Sequence, residues 1–528
     1  MRTLAHRLLA FLLAFTLMVG CTALAENTSY VNVAVTGTIP SLNPLLMEAT
    51  EVGKYAMSLS FLPLVELNAD NEFVPQLAKS ITTEDNMTFT IELEEDAVWS
   101  DGVPVTSKDV LFTYLLITSP EAGVSALAQY LIAGTDDGGH VPSGATSLEG
   151  IQIVDDKTLT ITLKWPTSLE TFQNNFGRYV LTLPEHILGS EDRGSLLTSI
   201  WFMAPTVVSG PYRVVAADLN HYVRYEANPT YFRGEPAIRY LNMNVYLEPA
   251  QLLAGLTSGE IDLIQQTTGS IPLEDYEAVE ALPNVTARMG KPITVQSVFI
   301  NVNAVPDVRI RQALLLGMDR QTILEGLVNG NGEVVDAFLC SASPFYAEDL
   351  GVTAYEPDKA AALIAAAAAD GASTTLDWYL NNGDGTFLQA AEFLAAMYAE
   401  IGLTINLHPL DLDSLMGVAG TDDMDVMTVE YTYSPVDPYT DMVWLLSADG
   451  WTHYANPDLD AAFQATQTSV DAEEVKAAYR TINAAVQADC PMICAYVISS
   501  MGAASNRLHG ATPDVFGTFV NVHQWTVD

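Results

Sequence analysis

Basic residues are scarce in this chain. Its 528 residues include 22 Lys and Arg against 65 Asp and Glu, which gives a formal net charge of −43 at pH 7. A nucleic-acid backbone needs Lys and Arg to meet its phosphates, so nucleic acid is excluded as an ordinary partner. The excess acid is not gathered in a tail. It indicates a solvated acidic surface that keeps the protein soluble, with adaptation to salt as the other interpretation.

Sequence motifs for catalysis are also lacking. There are only 8 histidines, and none stands in the H-E-x-x-H spacing of a zinc hydrolase. Neither the G-x-S-x-G nucleophile elbow nor the G-x-x-x-x-G-K-S/T phosphate loop occurs. We therefore predict that the protein is not an enzyme and that it carries no metal or other cofactor.

Cysteine is rare, with 4 in the whole chain. Cys21 lies near the N-terminus, which leaves Cys340, Cys490 and Cys494, an odd number that cannot all pair. The last two lack a second cysteine pair or a nearby histidine, so a zinc site is not indicated. A disulfide from Cys340 to one of the others stays open, but packed apolar thiols are the favoured interpretation.

Long apolar runs occur only at the start of the chain. Arg2 and Arg7 precede an apolar run over residues 8–19, which is too short for a stable membrane helix. We therefore predict a signal peptide over residues 1–25. No later segment offers the roughly 18 unbroken apolar residues of a membrane helix.

Two cleavage sites compete within this leader. Residues 18–21 resemble a lipobox, after which Cys21 would become the lipidated N-terminus, whereas residues 23–25 form a small-x-small site for ordinary signal peptidase. A cysteine at this place favours lipidation at Cys21. The predicted location is extracytoplasmic, either as a lipoprotein of the cell membrane or free in the periplasm.

Strand and helix patterns alternate along the rest of the chain, which predicts an α/β fold of two or three domains. Apolar and polar residues alternate in the predicted strands, and the predicted helices have helical periodicity or high helix propensity. The predicted strands are 30–35, 89–93 and 159–163; the predicted helices are 250–258, 309–329, 358–369, 385–401 and 472–488.

The most informative stretch is residues 99–110. Asp101 and Gly102 are turn residues, and Thr106 with Asp109 three positions later is a short form of the capping box at a helix start. Five further motifs accompany this stretch in a fixed order; they lie at 73–78, 209–212, 228–234, 259–262 and 308–313.

As an ordered set, these motifs resemble family 5 of the extracytoplasmic solute-binding proteins, which serve peptide- and nickel-type ABC importers. The resemblance runs from about Asn32 to the C-terminus. It implies a two-lobed, periplasmic-binding-protein-like α/β fold of the large peptide-binding subclass, with an additional domain in lobe I. The implied limits are 27–290 for lobe I, including 47–200 for the additional domain, 291–496 for lobe II, and 497–528 for the return to lobe I. Two adjacent crossings between lobes form a hinge that can close a cleft.

The best binding candidate is the loop at 430–439, which follows a predicted strand and combines tyrosines, prolines and an acid. In the peptide-binding members, the corresponding loop carries an aspartate that pairs with the α-ammonium group of the ligand. Ser434 holds that place here. Tyr431 and Tyr433 are predicted to contact the solute, and Asp437 either contacts it as well or forms an Asp-Pro turn.

Two further pairs are candidates for the same cleft. Trp378 and Asn381 end a neighbouring strand, where they could stack on a solute and hydrogen-bond to it. Ser41 and Asn43 lie in a segment that resembles the family's cleft mouth, and capping of a helix is the alternative role for both.

The resemblance implies a monomeric binding component of an ABC importer, which hands its solute to the permease subunits and is tethered to the membrane by an N-terminal lipid anchor. The expected solute is a short peptide or peptide-like molecule. An oligosaccharide is the alternative within the same fold, because aromatic loops also stack on sugar rings. An extracellular ligand sensor for a membrane receptor is the alternative from another functional class.

Overall fold

A computed structural model of the chain describes residues 29–47, 50–122, 131–248, 250–269, 271–383, 385–432 and 434–528. The predicted signal peptide, Cys21 and Tyr433 lie outside these residues. Among the described residues, no helix is both long and apolar enough to cross a membrane.

A seven-stranded mixed sheet organises the first lobe, which we call the seven-stranded lobe. Its opening strand, Tyr30–Val35, lies between two parallel neighbours, and the other pairs are antiparallel. In spatial order its strands are Val285–Met289, Met501–Ser505, Leu263–Ile264, Tyr30–Val35, Tyr240–Val245, Tyr222–Ala227 and Tyr212–Asp218.

A six-stranded mixed sheet organises the second lobe, the six-stranded lobe. Strand Thr375–Asn381 runs parallel to both of its neighbours, and the remaining pairs are antiparallel. In spatial order its strands are Gly332–Glu333, Met492–Ile498, Thr294–Ile300, Val426–Thr432, Thr375–Asn381 and Thr404–Leu410.

A smaller antiparallel sheet of four strands forms a third unit, the four-stranded body, whose strands are Ala78–Thr83, Thr88–Leu93, Thr158–Thr162 and Ile151–Ile153. Its core includes Phe89 stacked on Phe172, with ring centroids 3.9 Å apart. Two further two-stranded sheets pair Val65–Leu67 with Phe73–Pro75 and Leu508–His509 with Thr526–Val527.

Helices cover the sheets. The α-helices are Glu51–Ser58, Ser107–Ile117, Leu169–Phe172, Glu185–Leu188, Arg193–Leu196, Ala250–Ser258, Tyr276–Glu280, Val308–Leu316, Arg320–Val328, Pro357–Ala369, Gly385–Glu400, Leu412–Val418, Tyr439–Leu445, Asp460–Thr468 and Ala472–Asp489. Short 3-10 helices are Pro44–Leu46, Ile200–Met203, Leu273–Asp275, Glu348–Leu350, Pro457–Leu459 and Val522–Gln524, and Gln173–Arg178 is a π-helix.

The chain passes between the two large sheets twice, at residues 290–293 and 499–500. These connections lie side by side, because the backbone N–H of Gly290 donates to the carbonyl of Ser500 at 2.9 Å. Two adjacent short connections allow rotation of one lobe against the other with changes at few backbone torsions. The residue limits expected for the domains stay a prediction.

Several local predictions are confirmed. Gly102 adopts a φ of 88°, and the side chains of Thr106 and Asp109 form the capping box at the start of Ser107–Ile117. The single helix predicted over 309–329 is wrong, because the structure has two helices there. Asp319 begins the second helix by accepting a hydrogen bond from the backbone N–H of Thr322 at 3.1 Å.

The three described cysteines, Cys340, Cys490 and Cys494, are buried free thiols. This confirms the packed-thiol interpretation and leaves the alternative of a disulfide from Cys340 without support. Burial raises the pKa of Cys490 to about 12, so this thiol stays protonated and unreactive at neutral pH.

Candidate functional site

The loop that leads the sequence candidates follows strand Val426–Thr432 in the six-stranded lobe and precedes helix Tyr439–Leu445. The carbonyl of Ser434 accepts a hydrogen bond from the backbone N–H of Asp437 at 3.3 Å, which closes a turn. The hydroxyl of Ser343 donates to the carbonyl of Pro435 at 2.7 Å from outside the loop. The loop is therefore held at both its own turn and a neighbouring segment.

Asp437 leaves this loop toward the four-stranded body. Its side chain is buried, with 3% exposed surface. One carboxylate oxygen accepts from the hydroxyl of Thr171 at 2.7 Å, and the other lies 3.4 Å from Nδ2 of Asn174. Asp437 thus joins the six-stranded lobe to the four-stranded body. It lies 266 residues from Thr171 and 263 residues from Asn174 in the sequence.

Two more contacts follow the same surface. The side-chain amide of Asn86 donates to the carbonyls of Gln467 and Ser469 at 3.0 Å each, and the backbone N–H of Ser168 donates to Oε1 of Gln467 at 3.1 Å. We call this contact surface the seam. Its polar residues are Asn86, Ser168, Thr171 and Asn174 on the four-stranded body and Asp437, Gln467 and Ser469 on the six-stranded lobe.

The electrostatics of the seam are set by carboxyl groups. Burial raises the pKa of Asp437 to about 7, the Thr171 hydrogen bond opposes this rise, and the nearby charge of Asp441 adds to it. Burial likewise raises the pKa of Asp441 to about 6, although this carboxylate accepts a hydrogen bond from the hydroxyl of Tyr431. Within the described part of the chain, neither carboxylate forms an ion pair. Asp437 and its neighbour Asp441 therefore take up protons at a higher pH than exposed carboxyl groups do.

Ser434, which stands where peptide-binding relatives are expected to carry an aspartate, presents a buried hydroxyl oxygen. Among the described residues this oxygen has no hydrogen-bond partner. Buried hydroxyl groups are usually paired, so an unpaired one is suited to a ligand or an ordered water. Tyr433, its neighbour, lies outside the described residues.

Tyr431 is half-buried and lies at the end of its strand. Its hydroxyl is taken by Asp441, and its ring packs against Phe338 with centroids 6.3 Å apart. Burial raises the pKa of this phenol, so it donates as a neutral group. The hydrogen bond to Asp441 fixes the orientation of the ring.

The candidates at the predicted cleft mouth serve as caps. The hydroxyl of Ser41 accepts from the backbone N–H of Asn43 at 3.0 Å, and Oδ1 of Asn43 accepts from the N–H of Leu45 at the start of helix Pro44–Leu46. The amide of Asn43 also donates to the carbonyl of Leu196 at 2.9 Å. These contacts agree with the alternative role of helix capping and occupy both ends of the Asn43 amide.

The second pair of candidates, Trp378 and Asn381, also has hydrogen-bond partners within the protein. Trp378 is 1% exposed in the core of the six-stranded lobe, and its indole N–H donates to the hydroxyl of Thr428 at 2.6 Å. This burial does not support the predicted stacking on a solute, because neither ring face is open. Asn381 is half-buried, and its oxygen accepts from the N–H of Gly383 at 2.9 Å, which stabilises the strand end.

Sequence reasoning missed Thr171, Asn174 and Asp441. Asp441 carried a weak signal, since it lies four residues after Asp437 and therefore one helical turn into the helix that Pro438 begins. Nothing local marks Thr171 or Asn174, because their role depends on a partner more than 260 residues away.

A buried charge network lies at the C-terminal end of the π-helix that carries Asn174. Arg178 ends that helix and pairs with Glu51 at 2.7 Å and with Glu66. Lys54 pairs with the same two carboxylates, at 3.1 Å from Glu51 and 2.7 Å from Glu66. Two cations therefore face two carboxylates, and the hydroxyl of Tyr179 donates to Glu51 at 2.9 Å.

An open groove of about 560 Å³ borders the seam. Trp165 and Pro166 line it from the four-stranded side, and Tyr439, Phe463 and Asp460 line it from the six-stranded lobe. Its volume falls in the range of small-molecule sites, and aromatic rings with a few polar groups are typical of such sites. Within the described residues, no cluster of His, Cys, Asp and Glu could hold a metal ion.

Known proteins share the sequence features and the fold of this chain. The family model described as "Bacterial extracellular solute-binding proteins, family 5 Middle" matches residues 72–453, which is more than half of the chain. A Brucella melitensis protein, whose name describes an ABC transporter peptide-binding protein, is 26% identical over 493 residues that cover 88% of each chain.

Solved structures agree in fold. The oligopeptide-binding protein AppA of Bacillus subtilis, in complex with a nonapeptide, has a TM-score of 0.73 and 20% identity over 95% of this chain and 100% of its own. The substrate-binding protein CtaP of Listeria monocytogenes has a TM-score of 0.80 and 23% identity over the same shares. The predicted two-lobed α/β fold and the predicted resemblance are confirmed. The chain belongs to the bacterial extracellular solute-binding proteins of family 5.

Proposed function

We propose that this protein is the solute-binding component of an ABC importer and captures a short peptide or peptide-like molecule between its two lobes. The observation that carries the proposal is the loop at 434–437, which reaches from one lobe to the four-stranded body and offers an unpaired buried hydroxyl. The names of the Brucella relative and of AppA support a peptide as the solute.

Capture requires no covalent chemistry. Rotation about the connections at 290–293 and 499–500 brings the lobes together, excludes water from the solute and presents one joined surface to the permease. We accordingly infer a monomeric carrier without catalytic activity or cofactor.

Recognition depends on neutral groups in this proposal. Ser434 donates or accepts one hydrogen bond but cannot hold an ammonium group as a carboxylate does. Tyr431 and Tyr433 supply apolar ring surface. A solute with a blocked or buried N-terminus fits such a loop better than a peptide with a free N-terminus. The reason is that Ser434 provides no carboxylate to pair with the ammonium group of a free N-terminus.

The protein is further proposed to be anchored by a lipid on Cys21, in keeping with a family of extracellular proteins. The support is the charged and apolar leader that ends on this cysteine. Cys21→Ser should release the protein from the membrane fraction. A wild-type protein that is already free and begins at Glu26 would contradict the anchor.

The solute itself is identified by mass spectrometry of what co-purifies with the native protein, and its binding is then measured by calorimetry. Tyr433→Ala should weaken binding by about 1–3 kcal/mol through lost apolar burial. Ser434→Asp should strengthen binding of a peptide with a free N-terminus and weaken binding of a neutral sugar. Tyr355→Ala, which removes an exposed tyrosine elsewhere on the six-stranded lobe, is the matched control.

Wild-type affinity in both loop variants would show that the loop is scaffold and would overturn the site. An oligosaccharide in the mass spectrum would keep the importer and replace the peptide.

A further inference from the structure

The seam contacts described above fall into three groups, those of Asn86, of Ser168 and of Asp437, and among these three one involves an ionisable group. Asn86 and Ser168 bind Gln467 and Ser469 through amide and backbone groups. Asp437 is the exception, since its carboxylate is buried against Thr171 and Asn174. The protonation state of the seam is therefore decided at Asp437.

The groups that face Asp437 offer it no compensating charge. Asp441 faces it from helix Tyr439–Leu445, Glu170 from helix Leu169–Phe172, and Tyr479 from helix Ala472–Asp489. Tyr439 belongs to the same cluster, through its interaction with Tyr479. These are acids and phenols, and in the described part of the chain no Lys, Arg or His pairs with Asp437. A buried carboxylate without a cation is costly unless it takes up a proton.

The Asn174 amide points to the same conclusion on geometric grounds. Its Nδ2 lies 3.4 Å from Asp437, which is long for a bond to a charged acceptor, and its Oδ1 is buried with no donor among the described residues. A rotation of the amide by half a turn exchanges the two atoms, which ordinary structures hardly distinguish. Protonated Asp437 would then donate to Oδ1, so the seam has an acceptor ready for that proton.

We propose that closing the seam takes up one proton on Asp437, so that acidification of the extracytoplasmic medium favours the closed form of the protein. The proposal concerns the protein without solute and does not depend on which molecule it captures. In this proposal a proton, like the solute, binds preferentially to the closed form and so favours closure of the lobes.

The direction follows from linkage. When the lobes are apart, Asp437 is hydrated and has an ordinary carboxyl pKa; in the closed form its pKa is raised to about 7. A group whose pKa rises on closure favours closure below the raised value. Between the two pKa values the ratio of closed to open protein should grow about tenfold for each pH unit of acidification. A solute that binds the closed form must then bind more tightly in acid, by reciprocity.

The experiment places spin labels on both sides of the seam of the Cys21→Ser chain. Glu84→Cys lies two residues before Asn86, and Val470→Cys follows Ser469; both positions are exposed. The buried thiols Cys340, Cys490 and Cys494 are shielded from the label. Dipolar broadening of the spectrum reports closure. Without solute, broadening should be strong at about pH 5 and weak at about pH 8 in the parent chain.

Asp437→Asn should make the broadening equal at both pH values. Asp441→Asn is the matched control, because its carboxyl binds Tyr431 within one lobe. The pH dependence should persist but level off at a lower pH, because a repelling charge that raises the pKa of Asp437 is gone. A parent chain without pH dependence, or an Asp437→Asn chain that keeps it, would overturn the proposal.

Should Asp437→Asn fail to fold, Thr171→Val provides a second test. It removes the shortest hydrogen bond to the carboxylate, a bond that lowers the pKa of Asp437. The pH above which the closed-to-open ratio stops falling should then move upward by about one unit. An unchanged value of this pH would contradict the assignment to Asp437.

Discussion

Two groups of buried carboxylates contact the π-helix Gln173–Arg178, one near its start and one at its end, and they differ in the charges around them. In the buried charge network, burial alone would raise the pKa of Glu51, but Arg178 and Lys54 outweigh it and lower that pKa to about 2. At the seam, no cation accompanies Asp437, and burial raises its pKa to about 7. For these two carboxylates, the direction of the pKa shift depends on whether cations are buried beside the group.

The positions of the two groups explain this difference. The network ties helix Glu51–Ser58, strand Val65–Leu67 and the π-helix together through four paired charges. In the proposed closure, the seam joins bodies that separate when the lobes open. A permanent ion pair there would resist opening, whereas a single carboxyl group can exchange a proton for water when the lobes part.

The largest effect should follow from breaking the network. Arg178→Met leaves Glu51 and Glu66 with one cation between them, and an uncompensated buried charge costs about 3–5 kcal/mol of the free energy of unfolding. Urea denaturation measures the loss. The control is Arg213→Met, because the side chain of Arg213 is 44% exposed beside Glu226 and its ion pair should contribute at most about 1 kcal/mol. Equal losses in the two variants would show that the network is not energetically special.

The second prediction contrasts the pH dependence of two variants. The contribution of Glu51 is present above its ordinary pKa and is lost as the pH falls through about 2; that of Asp437 is present below its ordinary pKa and is lost as the pH rises through about 7. Glu51→Gln should therefore cost about 3 kcal/mol at neutral pH, with a deficit that shrinks in acid.

Asp437→Asn should show the reverse, with thermal stability above that of the parent chain at about pH 8 and no such advantage at about pH 4. Melting curves of both variants across this range provide the comparison. If the stabilities of the two variants changed with pH in the same direction, the proposed difference between the pKa shifts of Glu51 and Asp437 would be wrong.

The smallest effect concerns the phenol that supports Asp441. Tyr431→Phe removes the hydroxyl that donates to this carboxylate, so the pKa of Asp441 should rise further above about 6, and the free energy of unfolding at neutral pH should fall by about 1 kcal/mol. Tyr355→Phe, at an exposed position, should change stability by less than about 0.5 kcal/mol. If the Tyr431→Phe chain were as stable as the Tyr355→Phe chain, the hydrogen bond from Tyr431 to Asp441 would not contribute to stability.

Local structure could be predicted from the sequence because its causes are local. Alternating strand Tyr30–Val35, helix Ala250–Ser258 and the capping box at Thr106 appear where the pattern indicated them. The single helix expected over 309–329 failed for a local reason as well, since Asp319 starts a new helix inside an otherwise continuous apolar pattern.

The candidate site was predictable only in part. The loop containing Ser434 and Asp437 stood out by its composition, and the sequence indicated that Asp437 would have either a ligand or a turn as its partner. The structure adds a third possibility, a contact to the four-stranded body. For Trp378 the sequence alone was misleading. An aromatic residue near a strand end is suited to stacking on a solute, but the residues packed around Trp378 bury it.

The sequence by itself determined the family, the two-lobed fold and the acidic character of the chain, because ordered motifs, hydrophobic periodicity and composition are properties of neighbouring residues or of the whole. The tertiary structure alone decided which carboxylates are paired. Asp437 meets Thr171 across 266 residues, and Arg178 meets Glu51 across 127, so their opposite pKa shifts depend on distances that no local pattern encodes.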